Sequence, residues 1–195
     1  HRRRLETILG FSSGALPTLF TGRLPSEHGR WLMYRRAAGH GTPFRGFRWL
    51  GMLPPRLRRS WRLSMLLTRL VVRRGVSGYF SLYQVPSGLL EEFDLAERDD
   101  IFVPGGLPGG SLWDAVERSG IRWQGWNWRT PEEAACHEAL QCLERGQHDL
   151  LFVYSATLDA LQHREGSRGA GVRGNLACWS GWFDAAATAA ARGGR

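Results

Sequence analysis

Apolar residues in this chain fall into blocks at helical or extended spacing, separated by glycine and proline. The turn Gly10-Phe11-Ser12-Ser13-Gly14 leads into the apolar stretch Ala15 to Phe20, which predicts a loop and then a helix stopped at Gly22. Residues 23–48, rich in Gly, Pro, Arg and aromatics, read as irregular. From Pro55 to Arg74, Leu57, Trp61, Leu63, Leu66, Leu67, Leu70 and Val71 recur at helical spacing among arginines, predicting a basic amphipathic helix or helical pair. Gly78 to Val85 reads as a strand or extended loop. Ser111 with Asp114 opens a short helix ending at Gly120, and Ile121 to Trp128 is strand-like, anchored by Ile121, Trp123 and Trp126.

The strongest start signal is Thr130-Pro131-Glu132-Glu133, in which Thr130 caps a helix, Pro131 fits its first turn and Glu133 completes a capping box. That helix runs to Gly146. The continuous apolar run Leu150 to Tyr154 then reads as a strand buried on both faces of a parallel sheet. Residues 172–191, Ala-rich with Leu176, Trp179, Trp182 and Phe183, predict a last helix. Strand, helix and strand in succession imply α/β layering.

Composition narrows the chemistry. The 195 residues suit one domain, and 43% apolar content with 23% charged residues is that of a folded chain. The 26 basic residues against 18 acidic ones give a net charge of +8, and all the basic residues are Arg. Without Lys there is no Schiff-base chemistry, no Walker-type phosphate lysine and no Ser-Lys dyad, because guanidinium neither deprotonates nor acts as an amine. Arg together with abundant Gly and Ala also fits a GC-rich gene, so part of the charge reflects composition rather than a nucleic-acid face. Cys136, Cys142 and Cys178 form no CxxC, which points to neither a disulfide framework nor a cysteine zinc site, and to a reducing, cytoplasmic setting. The apolar runs fall short of the roughly 20 residues that cross a bilayer.

Two segments carry candidate chemistry. A hydroxyl at a helix N-terminus sits where unpaired backbone N–H groups and the helix dipole favour negative charge, so Ser12 suits a nucleophile in a phosphate cradle. Ser13 beside it is the competing residue, and capping is the commoner task of either. The stretch from Ser12 through Thr21-Gly22 to Pro25 and His28-Gly29 resembles the nucleophile region of the alkaline phosphatase superfamily, in its type I phosphodiesterase/nucleotide pyrophosphatase branch. There a Ser or Thr nucleophile precedes a helix ending in Thr-Gly, followed by Pro and His-Gly. Sulfatases of that superfamily want Pro and Arg where Gly14 and Leu16 stand.

The second segment is Asp159-Ala160-Leu161-Gln162-His163, just after the expected strand Leu150 to Tyr154. A carboxylate and an imidazole four residues apart share a helix face, and ligands collect at strand C-terminal ends in α/β sheets. The segment resembles the superfamily's Asp-x-x-Gly-His metal ligands, with Gln162 in place of glycine.

The resemblance implies a three-layer α/β sandwich with a mostly parallel sheet, alkaline-phosphatase-like but incomplete. It covers most of residues 5–165 and implies that residues 1–195 form a single partial catalytic domain with a basic helical insertion at about 50–75. It implies a metal-dependent hydrolase of phosphoric esters, of phosphodiesterase, nucleotide pyrophosphatase or phosphatase type. Ser12 would be the catalytic nucleophile and Asp159 and His163 metal ligands, with two zinc ions, or manganese or magnesium, in the complete enzyme. The family's Asp before the nucleophile, its Asp-His dipeptide and a further His have no counterparts, so the chain reads as a truncated portion, ahead of a degenerate homologue, that lacks part of its metal site, and its sequence leaves open whether it acts alone. The expected partner is a small anionic phosphoester, drawn in by arginines of residues 23–48, with no specific nucleic acid. The rival reading is a non-catalytic basic α/β protein whose Arg-rich helix lies on an anionic membrane or nucleic acid. His28 is expected to shape a turn, and His40, His137 and His148 have no partners at ligand spacing.

Overall fold

The computed structural model describes residues 11–38, 41–82 and 85–192. His40 lies outside this set. The chain divides into two compact units, His1–Ala115 and Val116–Arg195.

In the first unit, α1 (Ser12–Thr21) and the short α2 (Pro25–His28) precede β1 (Tyr34–Arg36). Residues 23–48 are therefore not irregular throughout. A 3-10 turn, Arg48–Met52, leads to the expected helical pair, α3 (Pro55–Arg58) and α4 (Trp61–Arg73), and a second 3-10 turn, Ser87–Glu92, leads to β2 (Phe93–Leu95). Gly78 to Leu82 forms no strand. β1 and β2 pair antiparallel with Arg35 opposite Asp94. Leu67 and Val71, one turn apart on α4, reach a core containing Phe44, Phe47, Leu50, Leu90 and Leu95. Full burial of a side chain such as Phe44 or Leu50 is worth about 1.5–3 kcal/mol. A second apolar group forms where Phe20 of α1 meets Phe102 and Trp113 edge-on, and the Trp113 indole N–H donates to the Ile101 carbonyl at 2.9 Å. α5 (Leu112–Arg118) opens as its sequence indicates: the Asp114 carboxylate accepts the Ser111 N–H and hydroxyl at 2.7 and 2.6 Å.

The second unit contains β3 (Trp123–Trp126), α6 (Glu132–Arg145), β4 (Leu150–Val153), α7 (Thr157–Glu165) and α8 (Ala170–Arg192). β3 and β4 run parallel, Trp123 opposite Leu150 and Trp126 opposite Val153. Trp126 is the anchor of β3, buried against Ala135 and Ala139 of α6, with its indole N–H donating to Glu138 at 2.7 Å; Ile121 is exposed. Trp182 of α8 donates to the Cys136 carbonyl at 2.9 Å and joins this cluster.

Two expectations need correction, the burial of β4 and the capping box at Thr130. β4 is half-buried at all four positions, not buried on both faces, because its one hydrogen-bonded neighbour among the described residues is β3. The described residues form mixed α/β structure with one parallel and one antiparallel two-stranded sheet, short of a large parallel sheet. The capping box at Thr130 does not form: Thr130 belongs to the preceding turn, its N–H donating to Asn127, and α6 starts at Glu132 with no side-chain cap. The three cysteines are free thiols. Among the described residues no helix is long and apolar enough to cross a membrane.

Candidate functional site

α1 begins directly after Phe11, whose extended backbone turns the chain into the helix and places Ser12 in the first turn. The first turn carries no acidic side chain, so no carboxylate of the turn itself offsets the positive end of the helix dipole. Ser12 is exposed, whereas the Ser13 hydroxyl oxygen is buried without a hydrogen-bond partner among the described residues. The two serines that the sequence leaves in competition thus differ in access. Gly14 is closely packed: a Cβ there would sit 3.1 Å from the Trp31 carbonyl oxygen and 3.3 Å from that of Arg30, tight enough that the backbone would have to shift slightly.

The downstream motif residues shape the scaffold. The Thr21 hydroxyl donates to the Pro17 carbonyl at 2.7 Å and accepts the Arg23 N–H at 3.2 Å, and Gly22 takes the left-handed conformation (φ 67°) that ends α1. The Glu27 carboxylate accepts the Leu24 N–H at 2.8 Å and so caps α2. His28 ties the two helices together. Its Nδ1 accepts the Arg30 N–H at 3.2 Å, so Nε2 carries the proton and donates to the Thr18 hydroxyl oxygen at 3.0 Å, while that hydroxyl donates to the Gly14 carbonyl. Burial, helped by the Arg30 charge and opposed by Glu27, lowers the His28 pKa. Both ring nitrogens are engaged, in keeping with a turn-shaping role.

Of the arginines in residues 23–48, three have structural tasks. Arg23 donates to the Gly109 carbonyl at 2.9 Å, Arg30 to that of Gly106 at 3.2 Å, and Arg35 to Asp94 at 2.9 Å. Arg30 is buried with one guanidinium nitrogen unpartnered among the described residues, and this burial lowers its pKa against the pull of Glu97 and Asp99. Its sequence context gives no warning of this. Arg36, Arg45 and Arg48 are exposed.

In the second unit, Asp159 and His163 come together on α7, their carboxylate oxygen and Nε2 3.5 Å apart and their side chains 63% and 80% exposed. α7 follows β4 through a turn held by Glu132, a residue the sequence reading passed over. The Glu132 carboxylate accepts from the Ser155 hydroxyl, from Asn175 at 2.6 Å and from the Trp179 indole at 3.2 Å, joining the start of α6, the exit of β4 and α8. The Ser155 hydroxyl oxygen in turn accepts the Thr157 N–H at 3.1 Å, fixing the entry to α7.

One carboxylate and one imidazole suit zinc or manganese in donor type, but two donors do not complete a coordination sphere. Among the described residues no group of three or more His, Cys, Asp or Glu is placed to hold a metal ion. His137 pairs with Gln141 one turn on, at 2.9 Å. Ser12 belongs to the first unit and the Asp159–His163 pair to the second. No family model, curated protein or solved structure matches the chain.

Proposed function

We propose that the chain carries part of the catalytic machinery of a metal-dependent phosphoric ester hydrolase on an alkaline-phosphatase-like three-layer scaffold, with a small anionic phosphoester as substrate. The observation that carries this reading is the exposed Ser12 hydroxyl in the acid-free first turn of α1, beside a Ser13 whose hydroxyl oxygen is buried. The helix dipole favours both a phosphoryl group and the alkoxide character of an attacking serine at that end. In this mechanism Ser12 Oγ forms a bond to phosphorus as the ester bond to the leaving alcohol breaks, and the serine proton ends on that alcohol. Water then attacks phosphorus as the Ser12 Oγ–P bond breaks, its hydroxyl staying on the released phosphate product and its other proton passing to Ser12 Oγ.

Asp159 and His163 supply two donors at one edge of a divalent-metal site, completed from outside the described residues or by water and substrate. A bound ion would contribute Lewis-acid polarisation of the phosphoryl oxygens. The resemblance of the Thr21-Gly22 and His28-Gly29 pattern to the type I phosphodiesterase/nucleotide pyrophosphatase branch favours phosphodiester or pyrophosphate bonds, while a serine nucleophile keeps monoesters open.

The test is hydrolysis of aryl phosphodiesters and monoesters by the full chain with zinc, manganese or magnesium. Ser12→Ala is expected to remove metal-dependent turnover, Ser13→Ala to retain most of it, and Asp159→Asn to raise the metal concentration required. Full activity in Ser12→Ala, or no metal-dependent turnover on either substrate class, overturns the proposal.

A further inference from the structure

Helix α4 presents two distinct faces. Residues advance about 100° each around a helix, and Leu67 and Val71, one turn apart, are buried in the core of the first unit. On the opposite side Arg62, Arg69 and Arg73 form one exposed stripe. This stripe is bordered by apolar residues that the core does not use. Trp61 and Met65 lie along one margin, and Leu66 and Leu70 along the other, all exposed, with Trp61 at 65% and Leu66 at 62%. α3, which precedes it, adds exposed Arg56 and Arg58 with exposed Leu57 between them.

No acidic residue offsets this charge locally: the sequence contains no Asp or Glu between Glu27 and Glu91. Arg74, although exposed, is engaged apart from this stripe: it donates to the Pro43 and Arg45 carbonyls at 2.7 Å and lies over the Phe47 ring.

We infer that the outer face of α3 and α4 docks on an anionic lipid bilayer. Charge complementarity sets the sign of the partner, and the apolar margins select a membrane over nucleic acid. A phosphate backbone in water gives exposed Trp61, Met65, Leu66 and Leu70 nothing to bury against, whereas the boundary between headgroups and acyl chains accepts them while the arginines extend to the lipid phosphates. Electrostatic attraction and shallow apolar insertion then reinforce one another on a single helix face. The inference does not depend on the hydrolase reading, because no residue of this surface takes part in that chemistry.

The test is flotation of the full chain with vesicles of phosphatidylcholine alone and of phosphatidylcholine with phosphatidylserine. Binding is expected with the anionic vesicles only, weakening steeply as salt rises. Replacing Arg62, Arg69 and Arg73 together by Gln is expected to weaken it by about 100-fold, at roughly 1 kcal/mol for each arginine near the surface. The charge-neutral pair Trp61→Ala and Leu66→Ser is expected to weaken binding about tenfold or more at unchanged net charge, as insertion requires. Circular dichroism and thermal melting are expected to show that these exposed substitutions leave the fold intact, so that lost binding reads the surface and not unfolding. Three outcomes overturn the inference: no vesicle binding; binding to duplex DNA or single-stranded RNA that matches vesicle binding and ignores the Trp61 and Leu66 substitutions; or a self-associated chain that becomes monomeric in the Leu66→Ser variant without any lipid interaction.

Discussion

Replacing Asp94 by Asn removes one charge from the junction of β1, β2 and the segment that follows β2. Its carboxylate is 8% exposed and accepts from Arg35 Nε and Nη2 at 3.1 and 2.9 Å, from Arg98 Nε and Nη2 at 2.9 and 2.6 Å, and from the Leu95 N–H at 2.8 Å. In the Asn variant one oxygen becomes an NH2 group that faces a guanidinium, donor against donor, and the charge attraction to both arginines is lost. Breaking a fully buried ion pair costs about 3–5 kcal/mol. The Arg35 and Arg98 side chains are 60% and 39% exposed and recover hydration, which lowers the expected loss to about 2–3 kcal/mol. Urea denaturation should show this loss as a shifted midpoint at unchanged slope, with a melting temperature lower by about 5–10 °C. Arg35→Ala alone should cost about 1 kcal/mol or less, since it leaves Asp94 paired with Arg98. A loss under about 0.5 kcal/mol for Asp94→Asn would refute the reasoning, because it would mean that the two arginines need no buried counter-charge.

His28 makes stability pH-dependent. Its folded pKa lies below the ordinary value of 6.5, so the unfolded chain binds the proton more readily, and stability is complete above about pH 6.5 and declines as pH falls through the folded value. NMR titration of the His28 ring should give a midpoint below 6.5, and His28→Gln should remove that part of the acid-side decline; a midpoint above 6.5 contradicts the placement. Gly78→Ala should cost about 2–4 kcal/mol in chemical denaturation, because the new Cβ would lie 2.4 Å from the Glu97 carbonyl oxygen and 2.9 Å from that of Asp99, both backbone atoms. A near-neutral result there would show that the 97–99 segment yields easily.

Local signals in the sequence predicted the local structure well. The glycine stop after Thr21, the Ser111–Asp114 cap, the helical pair around Ser60 and the long Ala-rich helix all depend on contacts within a turn or two, which residue order encodes directly. Errors arose where distant partners decide. Thr130 carries a helix-start signature, yet it sits in the turn closed on Asn127 and α6 begins without the capping box, while the neighbouring Glu132 is held by Ser155, Asn175 and Trp179, more than twenty residues away. Leu66 and Leu70 have the spacing of core residues, but Leu67 and Val71 occupy the core, so an apolar repeat on one helix gave no indication of which flank faces out. For chemistry, the sequence singled out Ser12, Asp159 and His163 as candidates by residue type, neighbours and the superfamily resemblance. It could not separate Ser12 from Ser13, because that difference lies in which hydroxyl the packing of α1 covers. The burial of Arg30 was likewise hidden, since its partner Gly106 is remote in sequence.

The most direct test of the central claim is the location of the phosphoryl group during turnover. The full chain, mixed with an aryl phosphodiester and zinc or manganese and quenched in acid within the first turnover, should yield on peptide mass spectrometry a phosphoryl ester on Ser12 that is absent from Ser12→Ala. An adduct on Ser13, or undiminished turnover with no adduct in the α1 peptide, would contradict the account.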